Sequence, residues 1–94
     1  MTTVVLRIKK KYLEQIRDGQ KTIEYRDFKP FYKKMFQGRT IDQIRFHYQS
    51  NVSLVCTVEQ IKVVRTPKTC RDSNIPFSSR VFAIHVRPVL TGDL

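Results

Sequence analysis

Between Gly19 and Arg26 the chain reads Gly-Gln-Lys-Thr-Ile-Glu-Tyr-Arg, which places an amine, a hydroxyl, a carboxylate and a guanidinium within eight residues. From Thr22 to Arg26 polar and apolar residues alternate, the period of a half-buried strand, so Thr22, Glu24 and Arg26 share one face and Ile23 and Tyr25 the other. Glu24 and Arg26 therefore stand side by side, with Lys21 at the lip where the alternation begins. Facing a cleft, this set could hold a polar ring or a phosphate. Facing water, it would be an ordinary charged strand face with an ion pair worth roughly 0–1 kcal/mol.

The preceding segment must position these groups. Residues 11–18 carry Tyr12, Leu13 and Ile16 on one side of a short helix. Gly19 then supplies the left-handed conformation that ends it. Before that, Val4, Leu6 and Ile8 alternate with Val5, Arg7 and Lys9 as a first strand, one face apolar and the other turning polar.

The apolar Val5-Leu6-Arg7-Ile8, Lys11-Tyr12 opening a helix, and Ile16-x-x-Gly19-x-Lys21-Thr22-x-Glu24-x-Arg26 together resemble the ASCH domain family of the PUA-like superfamily. The motif covers about a quarter of the chain; the looser likeness extends through apolar strands to Val81-Phe82-Ala83-Ile84-His85-Val86. The resemblance implies an α+β, PUA-like fold: a strongly bent mixed sheet or open barrel of five to six strands with one or two short helices. It also brings Tyr12, otherwise a core tyrosine, near the cleft as an aromatic hydroxyl.

A length of 94 residues allows a single domain, 1–94, with a small core. The formal net charge is +10, with twelve basic against five acidic residues in 1–50 and six against three in 51–94. Such an excess attracts polyanions, nucleic acid first. It exceeds what solubility needs, and a membrane surface is disfavoured because no long basic amphipathic helix is present.

Cys56 and Cys70 have neither C-x-x-C spacing nor a histidine pair nearby, so no metal site and no cofactor is expected. Cys56 reads as core and Cys70 as a loop residue. With no apolar signal region and no run long enough to span a membrane, the expectation is a reduced, cytoplasmic protein. His47 and His85 read as ordinary strand histidines.

A second stretch, Asp27 to Phe36, interleaves Phe28, Phe31, Tyr32 and Phe36 with Lys29, Lys33 and Lys34, a mixture that stacks bases while neutralising phosphates. Pro30 suits the first turn of a helix. The pairs Phe31 with Met35 and Tyr32 with Phe36 have helical spacing, and Phe31 and Met35 are expected to be buried with the lysines exposed.

Gly38 ends this segment, and Ile41 to Gln49 reads as a strand with Ile44, Phe46 and Tyr48 inward. Leu54 to Val64 returns antiparallel, its apolar phase slipping between Val58 and Ile61 as at a bulge. Residues 66–80 read as a long loop bearing Lys68, Arg71, Ser78, Ser79 and Arg80, and loops of that length are often functional. Val81 to Val86 closes the sheet, Pro88 stops it, and 90–94 read as a frayed tail.

Three functions follow from these residues and the resemblance. The first is a module binding RNA or a nucleotide through Lys21, Arg26, Lys29, Lys33, Lys34, Arg71, Ser79 and Arg80, with Glu24 accepting from an exocyclic amine. The second is a metal-independent ribonuclease, in which Tyr12 or Lys21 moves the 2′-hydroxyl proton, Lys21 and Arg26 stabilise the phosphorane, and Ser78 or Ser79 orients the phosphate. The third, N4-acetylcytidine amidohydrolase, is implied by relatives with a lysine at the position of Lys21. They carry threonine where this chain has Glu24, which would have to act as general base, and a distant glutamate for which Glu59 and Asp72 are the only stand-ins. Oligomeric state is not legible.

Overall fold

The alternation at the N-terminus produces β1 (Thr3–Arg7), with Val4 and Leu6 in the core and Val5 and Arg7 outside. In the computed structural model, which describes residues 2–49, 52–68 and 78–89, the elements that follow are α1 (Lys10–Arg17), β2 (Ile23–Asp27), α2 (Pro30–Phe36), β3 (Gln43–Gln49), β4 (Val52–Arg65) and β5 (Arg80–Pro88). The fold is α+β: a five-stranded mixed sheet curled into a half-barrel with two helices. The strand order is β1-β3-β4-β5-β2, parallel between β1 and β3 and antiparallel elsewhere. Consequently β1 and β2, joined in sequence only by α1, are the two edges of the sheet.

One face carries the core. Ile44 and Phe46 from β3, Cys56 from β4, and Phe82, Ile84 and Val86 from β5 meet Leu13 and Ile16 of α1 and Phe36 of α2. Burial pushes the Cys56 thiol up to about 12, which leaves it an inert core residue. Helix α1 ends as its sequence demands: the Asp18 amide donates to Glu14 O, and Gly19 takes φ +80°.

The slip in β4 is a bulge. Pairing with β5 runs through Val58↔Val86 and resumes at Gln60↔His85, leaving Glu59 without a partner, so that Cys56, Val58 and Ile61 all stay on the core side. Strand β3 starts later than expected, at Gln43. Ile41 is buried, and the amides of Asp42 and Gln43 instead donate to Thr2 O. Pro88 ends β5 as anticipated.

The burial expected in α2 is corrected. Phe31 is 62% exposed and Met35 only half-buried, while Phe36 is in the core. The apolar stripe is turned by one residue onto the other helical pair: Phe36 sits edge-on to Phe82 at 5.1 Å, and Tyr32 stacks on Phe36 at 5.9 Å. This orientation also brings the Tyr32 hydroxyl within reach of Arg26. Residues 69–77, including Cys70, Arg71 and Asp72, and the 90–94 tail lie outside the described residues.

Candidate functional site

Antiparallel pairing fixes where the charged residues of β2 go. Glu24 pairs with Ile84 and Arg26 with Phe82, and directly opposed residues share a face, so both stand on the core side. Glu24 is only 7% exposed. A carboxylate taken out of water at that depth persists only if it is paired and hydrogen-bonded. Arg26 supplies this through Nη2 and Nε, at 2.8 and 3.1 Å from Glu24 Oε2. Lys21 Nζ lies 3.4 Å from the other oxygen.

Arg26 makes two further bonds. Its Nη1 donates to the Tyr32 hydroxyl at 3.2 Å, and Nη2 also donates to the carbonyl of Arg7 at 2.7 Å. The second bond spans the sheet. Arg7 ends β1 and Arg26 belongs to β2, so a single guanidinium latches the two edges of the half-barrel and ties α2 to both. With its side chain 14% exposed, Arg26 offers a ligand little more than the remaining Nη1 hydrogen. Planar, forked and always charged, arginine suits this four-way contact as lysine would not.

Lys21 wraps the free edge of β2. Its ammonium lies 5.5 Å from the centre of the Tyr12 ring and 5.6 Å from that of Tyr25, with 19% of the side chain exposed. The backbone is fixed on both sides: Lys21 N–H donates to Gln15 O, and the carbonyl of Thr22 accepts from Val86. Thr22 itself is exposed and precedes the strand. Tyr12 is half-buried beside this lysine, with Lys11 Nζ 5.8 Å from the same ring.

The lysines of the second stretch gather on and around α2. Lys29 stands 5.5 Å from the Tyr32 ring and Lys33 4.2 Å from Phe28, while Lys34 is exposed. Phe31 is exposed and edge-on to Tyr32 at 5.0 Å. An uninterrupted series of contacts thus runs from Lys21 through Glu24, Arg26 and Tyr32 to an exposed phenyl ring.

The serines are disposed differently. Asp27 at the end of β2 accepts from the amide and hydroxyl of Ser78 and from the Phe28 amide. Partial burial pushes this carboxyl up, but the bonds from Ser78 and Phe28 and the charge of Lys29 outweigh it, and the group ends below its ordinary 3.8. Ser79 is exposed, and its carbonyl accepts from Thr66. Arg80 is exposed at the start of β5 and its carbonyl accepts from Phe28. Glu59 is exposed at the β4 bulge.

Sequence reasoning placed Lys21, Glu24 and Arg26 together and missed what they touch. The Arg7 partner is a backbone carbonyl, which no residue type announces. The Asp27 clip could have been suspected from a carboxylate directly ahead of Phe28 at a strand end.

Among the described residues no group of three His, Cys, Asp or Glu side chains could hold a metal ion, and no helix is long and apolar enough to cross a membrane. No family model matches the sequence, and no curated protein matches it. Among solved structures, the crystal structure of the hypothetical protein PH0355 is similar, with a TM-score of 0.63 and 16% identity over 95% of this chain and all of that one. The chain shares the fold of PH0355 across nearly its whole length.

Proposed function

We propose that this chain is an ASCH-like, PUA-like domain that binds RNA or a nucleotide at the end of the half-barrel where Lys21, Tyr12 and α2 meet. The observation that carries the reading is Phe31. A phenyl ring 62% exposed on a helix of this small domain, with Lys29, Lys33 and Lys34 on and next to the same helix, fits a base stacked on the ring and phosphates drawn to the amines. The net charge of +10 supplies long-range attraction. In this reading Glu24 and Arg26 set the shape of the site from beneath, and Lys21 is the member of the cluster that reaches its rim. Arg80 and Ser79 extend the basic border towards the 66–80 connection, on which Arg71 also lies. The protein would act in the cytoplasm.

A second reading, ribonuclease, rests on one feature of the geometry: the Lys21 ammonium lies 3.4 Å from the Glu24 carboxylate and 5.5 Å from the centre of the Tyr12 ring, so residues able to carry a proton are neighbours. Deacetylation is less favoured, because both oxygens of Glu24, the base it would require, already face cations.

Incubation with a mixed RNA pool in EDTA, following retardation and cleavage together, tests both. Retardation that weakens in Phe31→Ala and Lys21→Ala, with no cleavage, supports the binding reading. Cleavage abolished by Lys21→Ala moves the protein to the ribonucleases. Absence of both overturns the proposal.

A further inference from the structure

The sheet face turned away from the core carries a second basic surface, and it differs in kind from α2. Three rows cross it. Arg7 of β1 pairs with His47 of β3, which pairs with Ser53 of β4. Val5 pairs with Arg45, which pairs with Val55. Thr3 pairs with Gln43, Gln43 with Thr57, and Thr57 with Arg87 of β5. Each arginine sits one row further along and one or two strands further across than the last.

Strand spacings of about 4.8 Å and row spacings of about 6.7 Å separate Arg7 from Arg45 by roughly 8 Å and Arg45 from Arg87 by roughly 12 Å at the backbone. The result is a diagonal arginine stripe. All three side chains are exposed, and among the described residues none makes an ion pair. Both helices contribute their buried residues to the opposite face.

No carboxylate occurs in the three rows. Among the described residues, the acidic side chains of neighbouring segments lie outside them: Asp42 holds the Thr2 amide, Glu59 sits at the bulge, and Asp27 at the far end of β2 is occupied by Ser78 and Phe28. No Phe, Tyr or Trp occurs there either. The large hydrophobic exposed on this face is Val5, at 57%. Uncompensated arginines without an aromatic platform suit phosphates, which they grip in a fork, rather than bases.

We infer that the three rows of the outer face that carry Arg7, Arg45 and Arg87 are a second, sequence-independent contact for the phosphodiester backbone of a nucleic acid. It rests on the proposed function only in the choice of partner; the stripe is separate from α2 and can hold or fail alone. A strand engaged at both surfaces would pass around the β1 edge, close to where Arg26 meets Arg7.

The test is binding of a fluorescent single-stranded RNA across a salt series. It compares wild type, Phe31→Ala, the triple variant Arg7→Gln/Arg45→Gln/Arg87→Gln, and Lys10→Gln/Arg17→Gln/Arg39→Gln, which removes the same charge elsewhere. Removing one phosphate-neutralising arginine lowers the slope of log K against log salt by about 0.7, so the stripe variant should show a slope reduced by about 2 units and bind about tenfold more weakly at moderate salt. The charge-matched control should change much less. A stripe variant indistinguishable from that control overturns the inference even if Phe31→Ala weakens binding. Weakening in the stripe variant but not in Phe31→Ala sustains the inference while removing the α2 reading. A stripe variant that binds anionic vesicles more weakly but RNA as tightly as wild type also overturns it. The Arg7 bond to Arg26 uses the backbone carbonyl, so the substitutions leave that bond in place, and thermal melts confirm that each variant is folded.

Discussion

Arg26 and Arg45 are identical side chains on opposite faces of one sheet, and they live under opposite conditions. Arg26 stands on the core face of an edge strand, and its donors are spent on Glu24, Tyr32 and the Arg7 carbonyl. Arg45 stands on the outer face of a strand between two valines, exposed and without an ion pair among the described residues. The first is part of the scaffold although its motif suggests a ligand. The second is free for a ligand although no motif marks it. Charge type alone assigns neither role; burial and the number of donors already engaged do.

The comparison breaks most visibly at Glu24. Glu24→Ala leaves Arg26 and Lys21 facing an emptied, mostly buried space, and urea denaturation should show a destabilisation of about 3–5 kcal/mol. The double variant Glu24→Leu/Arg26→Met removes both charges and should be less destabilised than Glu24→Ala, since replacing a buried pair by apolar groups is often neutral. If Glu24→Ala unfolds no more easily than wild type, the cluster is not the latch described here.

Phe31→Ala probes the exposed side. Stability should stay within about 0.5 kcal/mol, while affinity for single-stranded RNA should fall by about 1–3 kcal/mol, as for removal of one stacked base. An equal fall for duplex and single-stranded RNA would remove the stacking role. Smaller again is Tyr32→Phe, which deletes one hydrogen bond to Arg26 and should cost about 1 kcal/mol in denaturant. It should also leave Phe36 packed on Phe82, visible as unchanged near-ultraviolet ellipticity.

Asp27 adds the smallest and most specific effect. Its folded carboxyl titrates below 3.8. A group depressed on folding contributes stability that is complete above the unfolded value and lost as pH falls through the folded one. Melts of wild type and Asp27→Asn should therefore differ near neutrality and converge as pH drops below the usual carboxylate range. Curves that stay parallel through that range would separate the Ser78 clip from stability.

Much of this architecture was legible because periodicity is a direct print of burial. The two-residue alternation of Val4, Leu6 and Ile8, the helix stop at Gly19 and the phase slip after Val58 each map onto a local geometric fact. The orientation of α2 was not legible. Two apolar pairs competed for the core, and the pair that won packs on Phe82, a residue of β5 far along the chain. The site divides in the same way. Alternation put Glu24 and Arg26 on one face, but whether that face met water or protein depended on β5, which arrives at the other end of the chain. The arginine stripe was invisible for the same reason, since its members come from three separate strands.

The position of β2 also bears on how the chain reaches this state. Its strand partner is β5, so Ile23 waits for His85 and Glu24 for Ile84. A ribosome delivers β1, α1 and β2 long before it delivers that partner, and pairings so distant in sequence are slow to form. Until β5 inserts between β4 and β2, the segment from Ile23 to Asp27 has no strand to pair with. The strand that carries Glu24 and Arg26 therefore completes its ladder only with the last strand of the chain, so a chain truncated before β5 leaves these two residues without their place in the sheet.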